Sequence, residues 1–204
     1  VLATTRVGDD GSETREYPYG SMFAHVIGYS DHGKAGLESK MNFEMLTSNA
    51  FFLSKLKDEF QDQKHRGDSI VSTLDLNLQQ AAYHALGDLK GAVVVIEPST
   101  GKILAMVSKP DFDPNALSAN WEYLNSSEDS ELLNRATQGQ YAPGSTFKVV
   151  TALEYMRENP AYMDYSYQCS GVIEQGGVSI HCYGGNVHGQ VSFADSMAYS
   201  CNTS

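Results

Sequence analysis

Apolar and polar residues alternate along the chain with two periods, one typical of helices and one typical of strands. Apolar residues spaced three or four positions apart indicate a helix with one buried face. Asp75 and Ser192 each precede such a stretch and can cap it, because their side-chain oxygens accept from free backbone N–H groups. We predict helices over residues 37–46, 51–65, 76–89, 122–135 and 193–199, and one with Ser145 in its first turn.

Short apolar runs bounded by turn-forming residues predict the strands. The β-branched run at 91–96 is typical of a buried central strand, and a short turn separates it from the next apolar run. We predict single strands over residues 23–29 and 69–75, and hairpins that begin with 2–7, join 91–96 to 103–108, and join 172–173 to 178–180.

Net charge and the length of the apolar runs exclude some classes of protein. Acidic residues outnumber basic ones 25 to 14, the net charge is −11, and no basic stripe is visible, so we expect no nucleic-acid partner. The longest uncharged apolar run, residues 91–96, is far too short to span a bilayer. The chain begins with Val1 rather than methionine, and we expect it to be a piece of a longer protein.

Isolated cysteine and histidine residues suggest little chemistry by themselves. The chain has three cysteines, Cys169, Cys182 and Cys201, and a pairing of the first two stays open. No Cys-x2-Cys pair is present, so we expect no metal site. His25 stands beside Val26 and Ile27, where a histidine more often satisfies a backbone group than takes part in catalysis.

Ser145 and Lys148 form a candidate nucleophile and base. They follow the turn-forming Pro143 and Gly144, and a separation of three places both on one helix face with Cβ atoms about 5–6 Å apart. A serine hydroxyl needs a base within hydrogen-bond reach, and a lysine can serve if its surroundings favour the neutral amine. We expect the apolar residues 147, 149 and 150 to supply such surroundings.

Ser200 and Asn202 form a second candidate pair, directly after the last predicted helix. A hydroxyl can relay a proton and an amide can hold a peptide group of a substrate. The pair means little alone, but a Ser-x-x-Lys tetrad precedes it by about 55 residues.

This combination resembles the penicillin-binding proteins, whose motifs include Ser-x-x-Lys and a later Ser-x-Asn. Residues 134–137 with 141–148 resemble the nucleophile region of that family, and residues 200–202 its second motif. Further segments that resemble the family, in its order, are residues 15–29 and 36–38 (the end of the pedestal of class B members), 73–79 (entry to the transpeptidase domain), 94–106 (its first two strands) and 169–189 (before the second motif).

The resemblance implies an α+β fold, the penicillin-binding and serine β-lactamase-like transpeptidase fold, with an antiparallel sheet and helices on both sides. We expect residues 1–66 to be the C-terminal part of a non-catalytic pedestal with its linker. Residues 67–204 would be the N-terminal part of the transpeptidase domain. The family also implies a bacterial membrane location through an N-terminal anchor outside these residues, with the catalytic domain on the extracytoplasmic side.

The resemblance assigns roles to the four candidate residues. Ser145 would attack the penultimate D-Ala carbonyl of a peptidoglycan stem peptide, and Lys148 would take its proton. Ser200 would pass a proton to the leaving amine, and Asn202 would hold the amide of the substrate. β-Lactams would acylate Ser145, other cell-wall synthesis proteins would be partners, and no metal or organic cofactor would be needed.

One family motif is missing from these residues. No Lys-Thr-Gly or Lys-Ser-Gly triplet occurs, and in the family this motif follows Ser-x-Asn. We therefore expect the 204 residues to be truncated and inactive in isolation. A β-lactam sensor that acylates without turnover and a class D-like β-lactamase are the alternative functions.

Overall fold

The computed structural model describes residues 1–46 and 67–204, which divide into two compact units, Val1–Gln140 and Tyr141–Ser204. The predicted helix over 51–65 lies outside the described residues. In the first unit the elements are β1 (Thr4–Val7), β2 (Glu13–Glu16), α1 (Ala24–Ile27), α2 (Gly36–Lys40), α3 (Asn42–Leu46), α4 (Leu76–Leu86), β3 (Gly91–Ile96), β4 (Ile103–Lys109) and α5 (Leu117–Ser126).

The two hairpins of the first unit confirm the predicted pairings. β1 and β2 are antiparallel, with Thr4 opposite Glu16. β3 and β4 are antiparallel from the pair Gly91 and Lys109 onwards, with an irregularity after Val95. In the described residues β3 alternates between half-buried and exposed positions, so the predicted burial of this strand is wrong.

The predicted strand over 23–29 is wrong, because this segment is helical. A 3-10 turn (Gly20–Phe23) leads into α1, and the Gly28 N–H donates to the Ala24 carbonyl at 2.7 Å. Phe23 and Ile27 lie four positions apart, and both are buried in one cluster with Tyr17. A short apolar run does not distinguish a strand from a buried helix.

His25 is buried in this helical segment, and its Nε2 lies 3.3 Å from the Pro110 carbonyl oxygen, to which it donates. The interpretation of His25 as a residue that satisfies a backbone group is confirmed.

The predicted strand over 69–75 is also wrong, because these residues form no ladder. Near their end they form hydrogen bonds with β4, where the Asp75 N–H donates to the Leu104 carbonyl at 2.8 Å and the Thr73 hydroxyl to the Ile103 carbonyl at 2.6 Å. Val71 is 94% exposed, whereas Leu74 packs against the cluster that contains Tyr17, so this apolar run is buried only in part.

Helix α4 begins as predicted, because the Asp75 side chain accepts from the Leu78 N–H at 2.9 Å. It ends at Leu86, three residues earlier than predicted, where Gly87 takes a positive φ of 55°. Gln79 is fully buried in this helix. Its Nε2 donates to the carbonyls of Met22 (2.7 Å) and Met106 (2.8 Å), and its Oε1 accepts from the Met106 N–H at 2.8 Å.

Helix α5 lies earlier than the predicted helix over 122–135. Pro114 opens a 3-10 turn (Pro114–Ala116), and Asp113 caps it by accepting from the Asn115 N–H at 2.9 Å. Leu117 and Leu124 lie seven positions apart on one face and are both buried. The burial of this face explains why the helix begins at Leu117. The polar residues that follow placed the predicted start too late.

The second unit contains every candidate site residue. Its elements are α6 (Lys148–Glu158), β5 (Ser166–Cys169), β6 (Val172–Gln175), β7 (Val178–His181), β8 (Gly189–Ser192) and α7 (Phe193–Ala198). β6 and β7 form the predicted hairpin, and β5 pairs antiparallel with β8. The Ser192 hydroxyl accepts from the Asp195 N–H and caps α7 as predicted. Tyr155 of α6 stacks on Phe193 of α7, with ring centroids 5.9 Å apart.

None of the described helices combines the length and the apolar composition needed to cross a membrane.

Candidate active site

Ser145 lies in a 3-10 turn (Gly144–Phe147) that runs directly into α6, so its predicted place at a helix start is confirmed. Gly144 takes a positive φ of 55°, a conformation that glycine adopts at no steric cost. The turn presents Ser145 on the surface of the unit, where its side chain is exposed.

Lys148 is the first residue of α6, and its amine contacts the Ser200–Asn202 segment. Nζ donates to the carbonyl oxygens of Ser200 (2.5 Å) and Cys201 (2.8 Å), to the Ser200 hydroxyl (3.1 Å) and to Asn202 Oδ1 (2.7 Å). Four acceptors exceed the three N–H donors of an ammonium group, so they compete for its protons.

The Ser200–Asn202 segment is a tight turn at the end of α7. Ser200 takes a positive φ of 50°, which is uncommon for a residue with a side chain. The turn is closed by the Ser200 and Cys201 N–H groups, which donate to the carbonyls of Met197 (3.1 Å) and Ser196 (2.9 Å).

Asn202 is held at both ends of its amide. Its Oδ1 accepts from Lys148, and its Nδ2 donates at 2.9 Å to the carbonyl of His181, the last residue of β7. The amide therefore links the start of α6 to the end of the β6–β7 hairpin.

The structure brings three of the four candidate residues into direct contact and places the fourth beside them. The Lys148 backbone N–H donates to the Ser145 carbonyl, but among the side-chain hydrogen bonds of the described residues none joins the Ser145 hydroxyl to the Lys148 amine. Ser145 instead shares a cleft of about 360 Å³ with Ser200 and Asn202. Phe147, Val149 and Val150 are 56%, 54% and 53% exposed, so the expected apolar cover over the lysine is not formed by these side chains.

Four other residues line the cleft and were not predicted from the sequence as site residues, namely Tyr183, Asn186, His188 and Tyr199. His188 stacks on Tyr199, with ring centroids 5.7 Å apart and an angle of 11° between the planes. The six glycines between residues 169 and 189 indicated an irregular loop, but no spacing linked this segment to Ser145.

Comparison with protein families identifies the class. Residues 91–204 match the family described as "Penicillin binding protein transpeptidase domain", and residues 1–70 match "Penicillin binding protein A dimerisation domain". The chain belongs to the penicillin-binding protein transpeptidase family. The resemblance to class B members found in the sequence is confirmed.

Curated relatives are about one third identical to the chain over the aligned residues. Peptidoglycan D,D-transpeptidase PbpA of Mycolicibacterium smegmatis is 34% identical over 209 residues, which cover 93% of this chain and 43% of that protein. Peptidoglycan D,D-transpeptidase MrdA of Acinetobacter baumannii is also 34% identical, over 69% of this chain and 26% of that protein. The chain therefore spans less than half the length of these relatives.

Solved structures confirm the fold class. The ceftriaxone acyl-enzyme complex of penicillin-binding protein A from Mycobacterium tuberculosis has a TM-score of 0.90 and 31% sequence identity, and the match covers 100% of this chain and 50% of that one. The α+β transpeptidase fold expected from the resemblance is thus present in these residues.

Proposed function

We propose that the complete protein is a serine-type peptidoglycan D,D-transpeptidase that also binds β-lactams covalently. One observation carries this proposal. The Lys148 amine contacts both Ser200 and Asn202, and these two residues line one cleft with Ser145. The chain thereby assembles a hydroxyl nucleophile, an amine, a second hydroxyl and an amide, which acyl transfer to serine requires.

Ser145 is the nucleophile in this mechanism. Its Oγ forms a bond to the penultimate D-Ala carbonyl carbon, and the peptide bond to the terminal D-Ala breaks after the tetrahedral intermediate. The terminal D-Ala leaves with a proton on its nitrogen. The amine of a neighbouring stem peptide then attacks the acyl-serine, which restores the Ser145 hydroxyl and forms the cross-link.

Lys148 and Ser200 transfer protons from the Ser145 hydroxyl to the leaving amine. A neutral lysine amine keeps two N–H donors and one lone pair, so it can hold two of its four acceptors and still take the Ser145 proton. The Ser200 hydroxyl, 3.1 Å from Nζ, then hands a proton to the leaving amine. The contacts with the backbone carbonyls of Ser200 and Cys201 hold the amine beside the Ser200 hydroxyl.

Asn202 positions the substrate in this scheme. Its amide is fixed by Lys148 and by the His181 carbonyl, so it meets a stem peptide in a single orientation. The Ser145 backbone N–H, at the start of the 3-10 turn, is one donor of the oxyanion hole.

The domain division and location follow from the same proposal. Residues 1–66 are the end of the pedestal and its linker, and residues 67–204 are the first part of the transpeptidase domain. The protein acts at the extracytoplasmic side of a bacterial membrane, where its substrates and its cell-wall synthesis partners lie. The match of residues 1–70 to a dimerisation domain supports this division.

Labelling with fluorescent penicillin tests the assignment of Ser145. In the complete protein we expect Ser145→Ala to abolish labelling, because among the described residues no other serine lies at a helix start beside Lys148. Ser166→Ala is the matched control, since Ser166 is an exposed serine of the same unit outside the cleft. Full labelling of Ser145→Ala would refute the proposal.

A second assay separates the transpeptidase from the sensor alternative. We expect the complete protein to release D-Ala from a stem peptide and to form cross-links in the presence of an acceptor amine. Acylation by penicillin without either product would favour the sensor. Rapid hydrolysis of penicillin would favour the β-lactamase.

The 204 residues in isolation are expected to react poorly with penicillin, because they contain no Lys-Thr-Gly triplet to complete the carboxylate-binding edge of the cleft. The measurement is the acylation rate of the 204-residue chain relative to the complete protein. Equal rates would show that the triplet is not needed.

A further inference from the structure

Three buried thiols and one imidazole meet beside the cleft of the second unit. Cys169, Cys182 and Cys201 are 0%, 2% and 3% exposed, and His188 is half-buried next to them. Their three Sγ atoms and one histidine nitrogen all lie within 4.8 Å of one another. Among the described residues this is the one group of potential metal ligands with such spacing.

The distances within this group fit a tetrahedral metal ion. Zinc with Zn–S bonds of about 2.3 Å and a Zn–N bond of about 2.0 Å sets its sulfurs about 3.8 Å apart and each sulfur about 3.6 Å from the nitrogen. In the structure Cys182 Sγ lies 3.7 Å from both Cys169 Sγ and Cys201 Sγ. His188 Nδ1 lies 3.4 Å from Cys169 Sγ and 3.7 Å from Cys182 Sγ.

We propose that Cys169, Cys182, His188 and Cys201 bind one zinc ion. Three thiolates and one imidazole are a ligand set that selects zinc among the common divalent metals. Four protein ligands leave no open position, so the ion is structural and takes no part in the acyl transfer.

Polar groups around the sulfurs support thiolate ligands. The Thr203 hydroxyl donates to Cys169 Sγ at 3.3 Å and also lies 3.4 Å from Cys201 Sγ. The Gly171 N–H donates to Cys169 Sγ at 3.4 Å. Hydrogen bonds of this kind to the first ligands hold their orientation and stabilise their negative charge.

A disulfide bond accounts for the arrangement of these four side chains less well than a metal ion does. A disulfide between any two of the cysteines would leave the third thiol and the imidazole together in the buried centre without a common partner. The sulfurs are also arranged around a shared point rather than as one close pair, since Cys182 Sγ is equally far from its two neighbours. A single ion accounts for all four side chains.

The site joins four separate segments of the second unit. Its ligands come from the end of β5, the residue after β7, the loop before β8 and the turn after α7. Cys201 stands between Ser200 and Asn202, and its carbonyl accepts from Lys148. Zinc would therefore fix the turn that carries two of the proposed catalytic and substrate-binding residues.

Metal analysis of the complete protein, purified without chelator, tests the site directly. We expect about one zinc ion per chain and three thiols that react only after a chelator removes the metal. Replacement of zinc by cobalt should give the thiolate-to-cobalt charge transfer and the intense visible bands of a tetrahedral centre. A metal-free protein with three freely reactive thiols, or with a disulfide between two of them, would overturn the proposal.

Two histidine variants provide a matched comparison. His188→Ala should lose most of the zinc, because it removes one of four ligands. His181→Ala should retain it, because the ring of His181 is exposed and contacts Ser179 rather than the thiols. Equal zinc content in the two variants would exclude His188 as a ligand. If His188→Ala does not fold, the cobalt spectrum of the unaltered protein still decides whether a thiolate-rich tetrahedral site exists. Neither measurement depends on transpeptidase activity.

Discussion

The two units bury different kinds of side chain. The first unit buries large apolar residues, among them Phe23, Phe112 and Leu117, in three clusters. In residues 141–204 the buried apolar side chains are Val191 and the three cysteines, and α6 buries no residue at all. Burial of apolar surface stabilises the first unit, whereas the second depends on hydrogen bonds and on the thiol cluster. The residues with chemistry thus lie in the unit with the smaller apolar core.

The largest expected effect is therefore that of zinc removal. A structural zinc site stabilises small domains by about 10 kcal/mol or more, because the unfolded chain does not bind the ion in the same way. We expect chelation to abolish hydrogen-exchange protection in β5, β8 and α7, while β3, β4 and α4 keep theirs. Addition of zinc should restore the protection. A loss of hydrogen-exchange protection in both units, or in neither, would contradict the proposed difference in how the two units are stabilised.

A substitution at Gln79 should destabilise the first unit and leave the zinc site of the second unit unchanged. Gln79→Leu leaves the buried N–H and carbonyl of Met106 and the carbonyl of Met22 without partners, which we expect to lower the free energy of unfolding by about 3 kcal/mol. Chemical denaturation followed by hydrogen exchange in α4 and β4 measures the loss.

Gln80→Leu is the control for this change, since Gln80 is exposed on the same helix and should change the stability by less than about 0.5 kcal/mol. Zinc content should be unaffected in both variants. A lower zinc content in Gln79→Leu would show that the two units are not independent in stability.

A smaller loss is expected at the start of α7. Ser192→Ala removes the side-chain acceptor for the Asp195 N–H and one half of the capping box, at about 1 kcal/mol. Exchange rates within α7 report the change, and Ser192→Thr should restore most of the protection because threonine also caps. If alanine and threonine behave alike, the cap contributes little beside the ligation of Cys201.

The smallest expected effect is a pH dependence confined to the first unit. Burial lowers the pKa of His25, and the nearby Arg135 acts in the same direction, while the Pro110 carbonyl and Asp111 oppose them. The unfolded chain then binds more protons than the folded one below a pH of about 6.5, so stability is highest above that value and falls as the pH decreases.

The comparison of His25→Gln with His84→Gln measures this contribution. Glutamine at 25 keeps a donor for the Pro110 carbonyl but does not titrate, so the slope of stability between pH 7 and pH 5 should become flatter. His84 is exposed, and its replacement should leave the slope unchanged. An unaltered slope in His25→Gln would show that another group causes the acid sensitivity.

Local patterns predicted the elements that local chemistry specifies. Both caps, at Asp75 and Ser192, were visible because a side-chain oxygen stands directly before an apolar periodic run. The hairpin turn at Gly176-Gly177 was visible because two glycines stand between apolar residues. The segment around Phe23 was misjudged because its conformation is decided by burial against Tyr17, which sequence periodicity does not report.

The candidate site likewise contains residues that local spacing predicted and residues that it did not. Ser145 and Lys148 were found from a spacing of three, and Ser200 and Asn202 from a spacing of two. The thiol cluster was missed because its ligands are thirteen, six and thirteen positions apart, and a search for closely spaced pairs does not detect them. Only the antiparallel pairing of β5 with β8 and the return of the chain after α7 bring the four ligands together.

The contacts of Gln79 have a consequence for how the protein avoids self-association. A side-chain amide that donates to the Met106 carbonyl and accepts from the Met106 N–H makes the two hydrogen bonds that a residue of a neighbouring strand would make. Two positions earlier, the Asp75 N–H occupies the outward Leu104 carbonyl. The start of α4 thus occupies the outer edge of β4 at Leu104 and Met106, so a strand from another molecule cannot form hydrogen bonds at these two residues.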